Sequence, residues 1–137
     1  MTQVVTRSPA TVAHPRSEAI IQLQHVSKTY SNGSQALVAV NLEVRKGDFL
    51  FVTGPSGSGK STLLKLLYGA ERPSEGEILV DRAHPASLYG DALASLRRRI
   101  GVVFQDYKLI PRRTVAGNIS IGLWAQGYSR YEIQRRL

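Results

Sequence analysis

With 137 residues, 42% of them hydrophobic and 20% charged, the chain is long enough for one modest domain with its own core. No apolar run approaches the roughly 18 residues of a membrane span, so any membrane association is expected to be peripheral; the lack of cysteine excludes disulfides and thiolate metal sites and suits a reducing cytoplasm. The formal net charge of +8 is concentrated in residues 97–137, where Arg97, Arg98, Arg99, Lys108, Arg112, Arg113, Arg130, Arg135 and Arg136 face only Asp106 and Glu132; no aromatic platform interleaves with these arginines, so no nucleic-acid partner is expected, and solvated faces or anionic headgroups remain as the readings of that charge.

In chain order, residues 1–17 hold Pro9 and Pro15 among small and polar residues, show no periodicity, and read as a disordered tail. Ile21, Leu23 and Val26 predict a strand ending near Tyr30, and the turn cluster Ser31-Asn32-Gly33-Ser34 leads into an antiparallel partner reaching Val44. After the turn at Lys46-Gly47, residues Asp48 to Thr53 read as a short buried strand. A leucine-rich helix carrying Leu63, Leu64, Leu66 and Leu67 follows, with Gly69 as its stop. Gly76 to Val80 reads as another strand, Asp91 to Arg99 as a basic helix, and Ile100 to Phe104 as a buried strand. Ser129-Arg130-Tyr131-Glu132 fits a capping box that opens a further helix, with Ile133 and Leu137 on one face. That apolar stripe has run only about two turns when the sequence ends, which predicts the N-terminal part of a larger domain.

Between the strand at 48–53 and the leucine-rich helix lies Gly54-Pro55-Ser56-Gly57-Ser58-Gly59-Lys60-Ser61, which fits the phosphate-cradling pattern G-x-x-x-x-G-K-[ST]. The glycines allow successive backbone N–H groups to turn toward phosphate oxygens, and the helix that follows presents the positive end of its dipole. In such a loop Lys60 reaches the β- and γ-phosphates and the hydroxyl of Ser61 ligates Mg²⁺. The pattern therefore predicts a site for a nucleoside triphosphate with Mg²⁺. Two aspartates after apolar runs, Asp81 and Asp106, resemble the second metal-holding carboxylate of phosphate-loop enzymes by position alone.

Over residues 20–137 the chain resembles the nucleotide-binding subunit of ABC transporter-type ATPases. Three features carry the resemblance: Tyr30, the loop Gly54 to Thr62, and Gln105 within Val103-Phe104-Gln105-Asp106. The stretches Leu66 to Pro73 and Phe104 to Pro111, with Arg113-Thr114-Val115, are most similar to the FtsE-type branch that acts in bacterial cell division. The resemblance implies an α/β P-loop core with an N-terminal antiparallel β-subdomain, the two extending to about residue 105. The start of a helical subdomain would then occupy 106–137, and the C-terminal half would be missing. It implies adenine stacking on Tyr30, although a packed strand-end aromatic is the plain alternative. It makes Gln105 a sensor of Mg²⁺ and the attacking water, and it gives Asp81 and Asp106 structural places. The implied cofactors are ATP and Mg²⁺. The implied partners are an integral membrane subunit of the FtsX type and, in full-length relatives, a second copy of the subunit, at the cytoplasmic face of the inner membrane.

The family's signature loop, second carboxylate motif and histidine switch have no counterpart in the 137 residues. Phosphoryl transfer depends on placing water and neutralising developing charge, so this span alone is expected to bind ATP with negligible turnover. Three alternatives stand beside the cell-division ATPase. One is the ATP-binding subunit of an ABC exporter, another a non-hydrolysing nucleotide-binding module, and the third a basic phosphate-loop protein acting on nucleic acid or a small substrate.

Overall fold

The computed structural model describes residues 18–137; the tail expected at 1–17 lies outside the described residues. Two compact units divide the chain, the first running to Leu96 and the second from Arg97 to Leu137.

The first unit is built on a three-stranded antiparallel sheet in the order β2-β1-β3. Strand β1 (Ala19–Thr29) and β2 (Gln35–Arg45) form the expected hairpin, closed by Tyr30 N–H donating to Ser34 O and Gly33 N–H to Tyr30 O, both at 2.9 Å. Helix α1 (Lys60–Leu67) follows, and β3 (Glu75–Val80) then returns to the free edge of β1. Leu23, Val26, Leu37, Val44, Ile78 and Val80 of the sheet and Leu63 and Leu66 of α1 make the buried core. Ile78 and Val80 alternate along β3, whereas Leu23 and Val26 of β1 and Leu37 and Val44 of β2 stand an odd number of residues apart and share the buried side because the strands bulge between them.

The register of β1 on β2 shifts between Leu23 and Val26 and again between Val26 and Lys28, and His25 and Ala39 take positive φ there, 49° and 44°. Bulges of this kind leave backbone donors off the ladder. Here side chains recover them: Asn41 Oδ1 accepts from His25 N–H at 2.9 Å and Ser27 Oγ from Ala39 N–H at 3.0 Å. Asn41→Ala is expected to lower unfolding free energy by about 1 kcal/mol in chemical denaturation, the ordinary worth of one such bond.

After a short 3₁₀ turn at Pro85–Ser87, helix α2 (Gly90–Arg98) begins one residue before the expected start and buries Leu96 completely. In the second unit, α3 (Val115–Ala125) and α4 (Arg130–Arg136) follow. No residue of α3 is buried, whereas α4 buries Ile133 and leaves Leu137 more than half exposed.

Two expected buried strands are corrected. Residues 48–53 and 100–104 join no ladder among the described residues. Phe49, Phe51 and Val103 are 83%, 71% and 93% exposed. An apolar run becomes a strand only when neighbouring strands satisfy its amides, and neither segment pairs with a strand among the described residues. Phe49 and Phe51 instead meet edge to face, with ring centroids 4.8 Å apart.

Candidate phosphate-binding site

Gly59 ends the glycine-serine loop as the N-cap of α1, with φ of 88°. A β-carbon there would lie 2.3 Å from Ala36 O and 3.0 Å from Leu37 Cδ2, so only glycine lets the loop rest against β2. From this position α1 starts with no side-chain cap and no acidic residue in its first turn. Uncapped N–H groups and the helix dipole leave that end electropositive.

Lys60, half-buried, folds its side chain back over the loop. Its Nζ donates to Gly54 O at 2.8 Å, Pro55 O at 2.7 Å and, more weakly, Ser58 Oγ at 3.3 Å. A β-carbon on Gly54 would approach Ser58 Oγ to 2.6 Å, so the loop is closed tightly around the ammonium. Ser61 is exposed at the start of α1, and Thr62 beside it is buried. A cradle of backbone donors, one ammonium and an exposed hydroxyl fits a polyphosphate carrying Mg²⁺. Among the described residues no group of three or more His, Cys, Asp or Glu side chains could hold a metal on its own. A single exposed hydroxyl, that of Ser61, beside a phosphate cradle fits the preference of Mg²⁺ for few protein ligands and for oxygens of bound phosphates.

Tyr30 is brought to the same helix. Its hydroxyl lies 3.2 Å from Thr62 Oγ1, which joins the end of β1 to the first turn of α1. The segment after α1 is fastened to the same strand end: Ser74 Oγ accepts from Thr29 N–H at 3.0 Å and donates to Thr29 O at 3.2 Å. Asp81 occupies a tight turn with Arg82, both at positive φ, between the reciprocally bonded Val80 and Ala83.

In the second unit Gln105 is exposed in the turn that follows 100–104. Its neighbour Asp106 pairs with Lys108, and that hydrogen bond holds its carboxyl below the usual carboxylate range. The next loop is fastened by a residue that the sequence reading did not single out. Asn118 Oδ1 accepts from Ile110 N–H at 2.8 Å, and its Nδ2 donates to Thr114 O at 3.1 Å. Helix α3 lies in the stretch 106–137 where the resemblance implies the start of a helical subdomain, but the sequence reading set no bounds for it. Its N-cap Thr114, accepting from Gly117 N–H at 3.1 Å, is the signal that marks it, but Gly117 and Gly122 interrupt the helical pattern.

The expected capping box of α4 is complete. Glu132 Oε2 accepts from Ser129 N–H at 2.8 Å and Ser129 Oγ at 2.7 Å, and Glu132 N–H donates back to Ser129 Oγ at 3.3 Å. The Ser129 hydroxyl first, then the Ser129 backbone N–H, holds the Glu132 carboxyl below its usual range. A carboxylate lowered in the folded state contributes stability above its unfolded value, and that contribution is lost as pH falls through the folded value. Ser129→Ala is therefore expected to move the Glu132 titration midpoint up toward the ordinary glutamate value, as read from its side-chain carboxyl resonance in NMR.

The fold and loop together define an ATP-binding cassette, and comparison with known proteins gives the same class. The family profile described as ABC transporter matches residues 37–137, and the chain belongs to that family. It is 45% identical over 118 residues to the cell division ATP-binding protein FtsE of Escherichia coli K12, covering 86% of this chain and 53% of that protein. It is 40% identical over 121 residues to the methionine import ATP-binding protein MetN 2 of Rhodopseudomonas palustris, covering 88% of this chain and 32% of that protein. Among solved structures, a dimeric post-hydrolysis state of the ATP-binding cassette MJ0796 bound to ADP and Pi superposes with a TM-score of 0.76 at 38% identity. That match covers 85% of this chain and 53% of MJ0796, so the chain spans about half the length of FtsE and of that cassette.

Proposed function

We propose that these residues form the ATP-binding part of an ATPase subunit that couples ATP binding and hydrolysis to an integral membrane partner, in the manner of FtsE in cell division. The observation that carries this is the loop from Gly54 to Thr62, closed on the Lys60 ammonium and opening onto an uncapped, acid-free helix end. In this reading the loop N–H groups and Lys60 bind the β- and γ-phosphates, Ser61 holds Mg²⁺, and the Tyr30 ring takes the base. Gln105 takes, in the same reading, the role that the resemblance gives it, sensor of Mg²⁺ and of the attacking water. Bound Mg²⁺ supplies neutralisation of the charge that develops on the phosphoryl oxygens.

The whole protein then works as a homodimer on the cytoplasmic face of the inner membrane, beside a permease-like subunit of the FtsX type. No helix among the described residues is long and apolar enough to cross a membrane. The 137 residues alone bind ATP with negligible turnover. A second reading, an ATP-binding subunit of a transporter, is favoured by the 40% identity to MetN 2. Depletion of the whole protein from growing cells separates the two. The cell-division reading predicts filamentous cells and co-purification with an integral membrane subunit; normal division with loss of uptake or export of a solute supports the transporter instead.

A further inference from the structure

Lys28 sits at the end of β1 with its side chain only 13% exposed. Its ammonium lies over the ring of Tyr30, 5.1 Å from the centroid. The same Nζ pairs with Glu71 Oε2 at 3.1 Å and donates to Arg72 O at 2.8 Å. A lysine has three donors, so two are taken by the segment after α1 and one is left toward the aromatic face. Meanwhile the Tyr30 hydroxyl is tethered to Thr62 at the opposite end of the same helix. The ring is thus held at its hydroxyl by Thr62 of α1 and on one face by Lys28 of β1, itself anchored to the segment after α1, while Tyr30 as a whole remains half-buried.

We propose that Lys28 is a positioning residue for recognition of the nucleotide base, its clamped ammonium fixing the Tyr30 ring so that the opposite face is presented to a purine. The proposal rests on the reading of Tyr30 as the base platform. A strand-end tyrosine without such a clamp would lose rotamer freedom on binding, and that loss would weaken the complex. A cation on the far face also draws ring electron density away from the open one, which favours stacking by an electron-rich purine. The partners of Lys28 are Glu71, Arg72 O and the Tyr30 ring, none of them in the phosphate loop, so the proposal confines its effect to ligands that carry a base. A plain strut between β1 and the end of α1 would show no such discrimination.

The experiment compares binding of MgATP and of magnesium tripolyphosphate, which has the phosphates and no base. The proteins are wild type, Lys28→Met, Tyr30→Ala and the double variant. Lys28→Met is expected to weaken MgATP about threefold to tenfold, to leave tripolyphosphate unchanged, and to add nothing in the Tyr30→Ala background. Lys28→Arg, which keeps the cation on the ring, is expected to restore most of the affinity. Lys28→Gln, shorter and able to bond Glu71, is the variant used if Lys28→Met does not fold, with the same expected pattern. Equal loss for both ligands, or loss that persists without Tyr30, overturns the proposal and leaves Lys28 a structural strut. If Tyr30→Ala binds MgATP as wild type does, the base-platform reading itself fails and the proposal falls with it. If Tyr30→Ala weakens MgATP while neither Lys28→Met nor Lys28→Gln does, only the proposal fails.

Discussion

Lys60→Ala is expected to weaken MgATP binding roughly 10- to 100-fold, the range set by losing charge-assisted hydrogen bonds to an anion. The fold should survive, because Lys60 bonds only to loop atoms, two of them carbonyls of exposed residues, and contributes nothing to the core of Leu23, Val26, Leu37, Leu63 and Leu66. Its removal should lower unfolding free energy by no more than about 1 kcal/mol. Lys60→Arg is expected to fail as well. The loop closes on a compact ammonium that meets Gly54 O, Pro55 O and Ser58 Oγ at once, and a planar guanidinium cannot reproduce those directions. Calorimetric titration of each variant, with denaturation curves beside it, separates lost binding from lost folding.

Gly59→Ala is the substitution expected to damage structure and binding together. A residue with a β-carbon pays about 1 kcal/mol or more at a φ of 88°, and the new methyl would meet the carbonyl oxygen of Ala36 at 2.3 Å. The obstacle is backbone in a paired strand, so it cannot rotate away. Relief requires the loop to lift from β2, which displaces the first turn of α1 and the phosphate-facing groups with it. Destabilisation of about 2–3 kcal/mol and loss of measurable MgATP binding are expected. Gly57→Ala is the comparison: its φ is also positive, 78°, but nothing lies within 4 Å of the added atom. That variant should cost only about 1 kcal/mol, and unfolding curves of the pair would show whether the Ala36 contact governs the difference.

The elements that could be read from the sequence are those whose signals are local. The turn at Asn32-Gly33, the alternation through Leu23 and Leu37, the leucines of α1 and the Ser129–Glu132 box all act within a few residues of where they stand. What escaped depends on partners distant in the chain. Whether residues 48–53 become a ladder strand is decided by what lies beside them, and no periodicity in Phe49 to Val52 reports that. The bulge at His25 depends on Asn41, sixteen residues away, and the clamp on Tyr30 joins Lys28 to Glu71 and Arg72 across α1. The loop itself was legible because its chemistry needs contiguous residues, whereas Thr62 as the tether of Tyr30 became visible only in three dimensions.

Titration of the protein with MgATP, alone and against magnesium tripolyphosphate, tests the central claim most directly. A phosphate-holding loop at Gly54 to Thr62 predicts saturable binding of one nucleotide per chain, displaced by tripolyphosphate and weakened roughly 10- to 100-fold in Lys60→Ala. No saturable binding, or binding that is as tight in Lys60→Ala as in the wild type and is not displaced by tripolyphosphate, would contradict it.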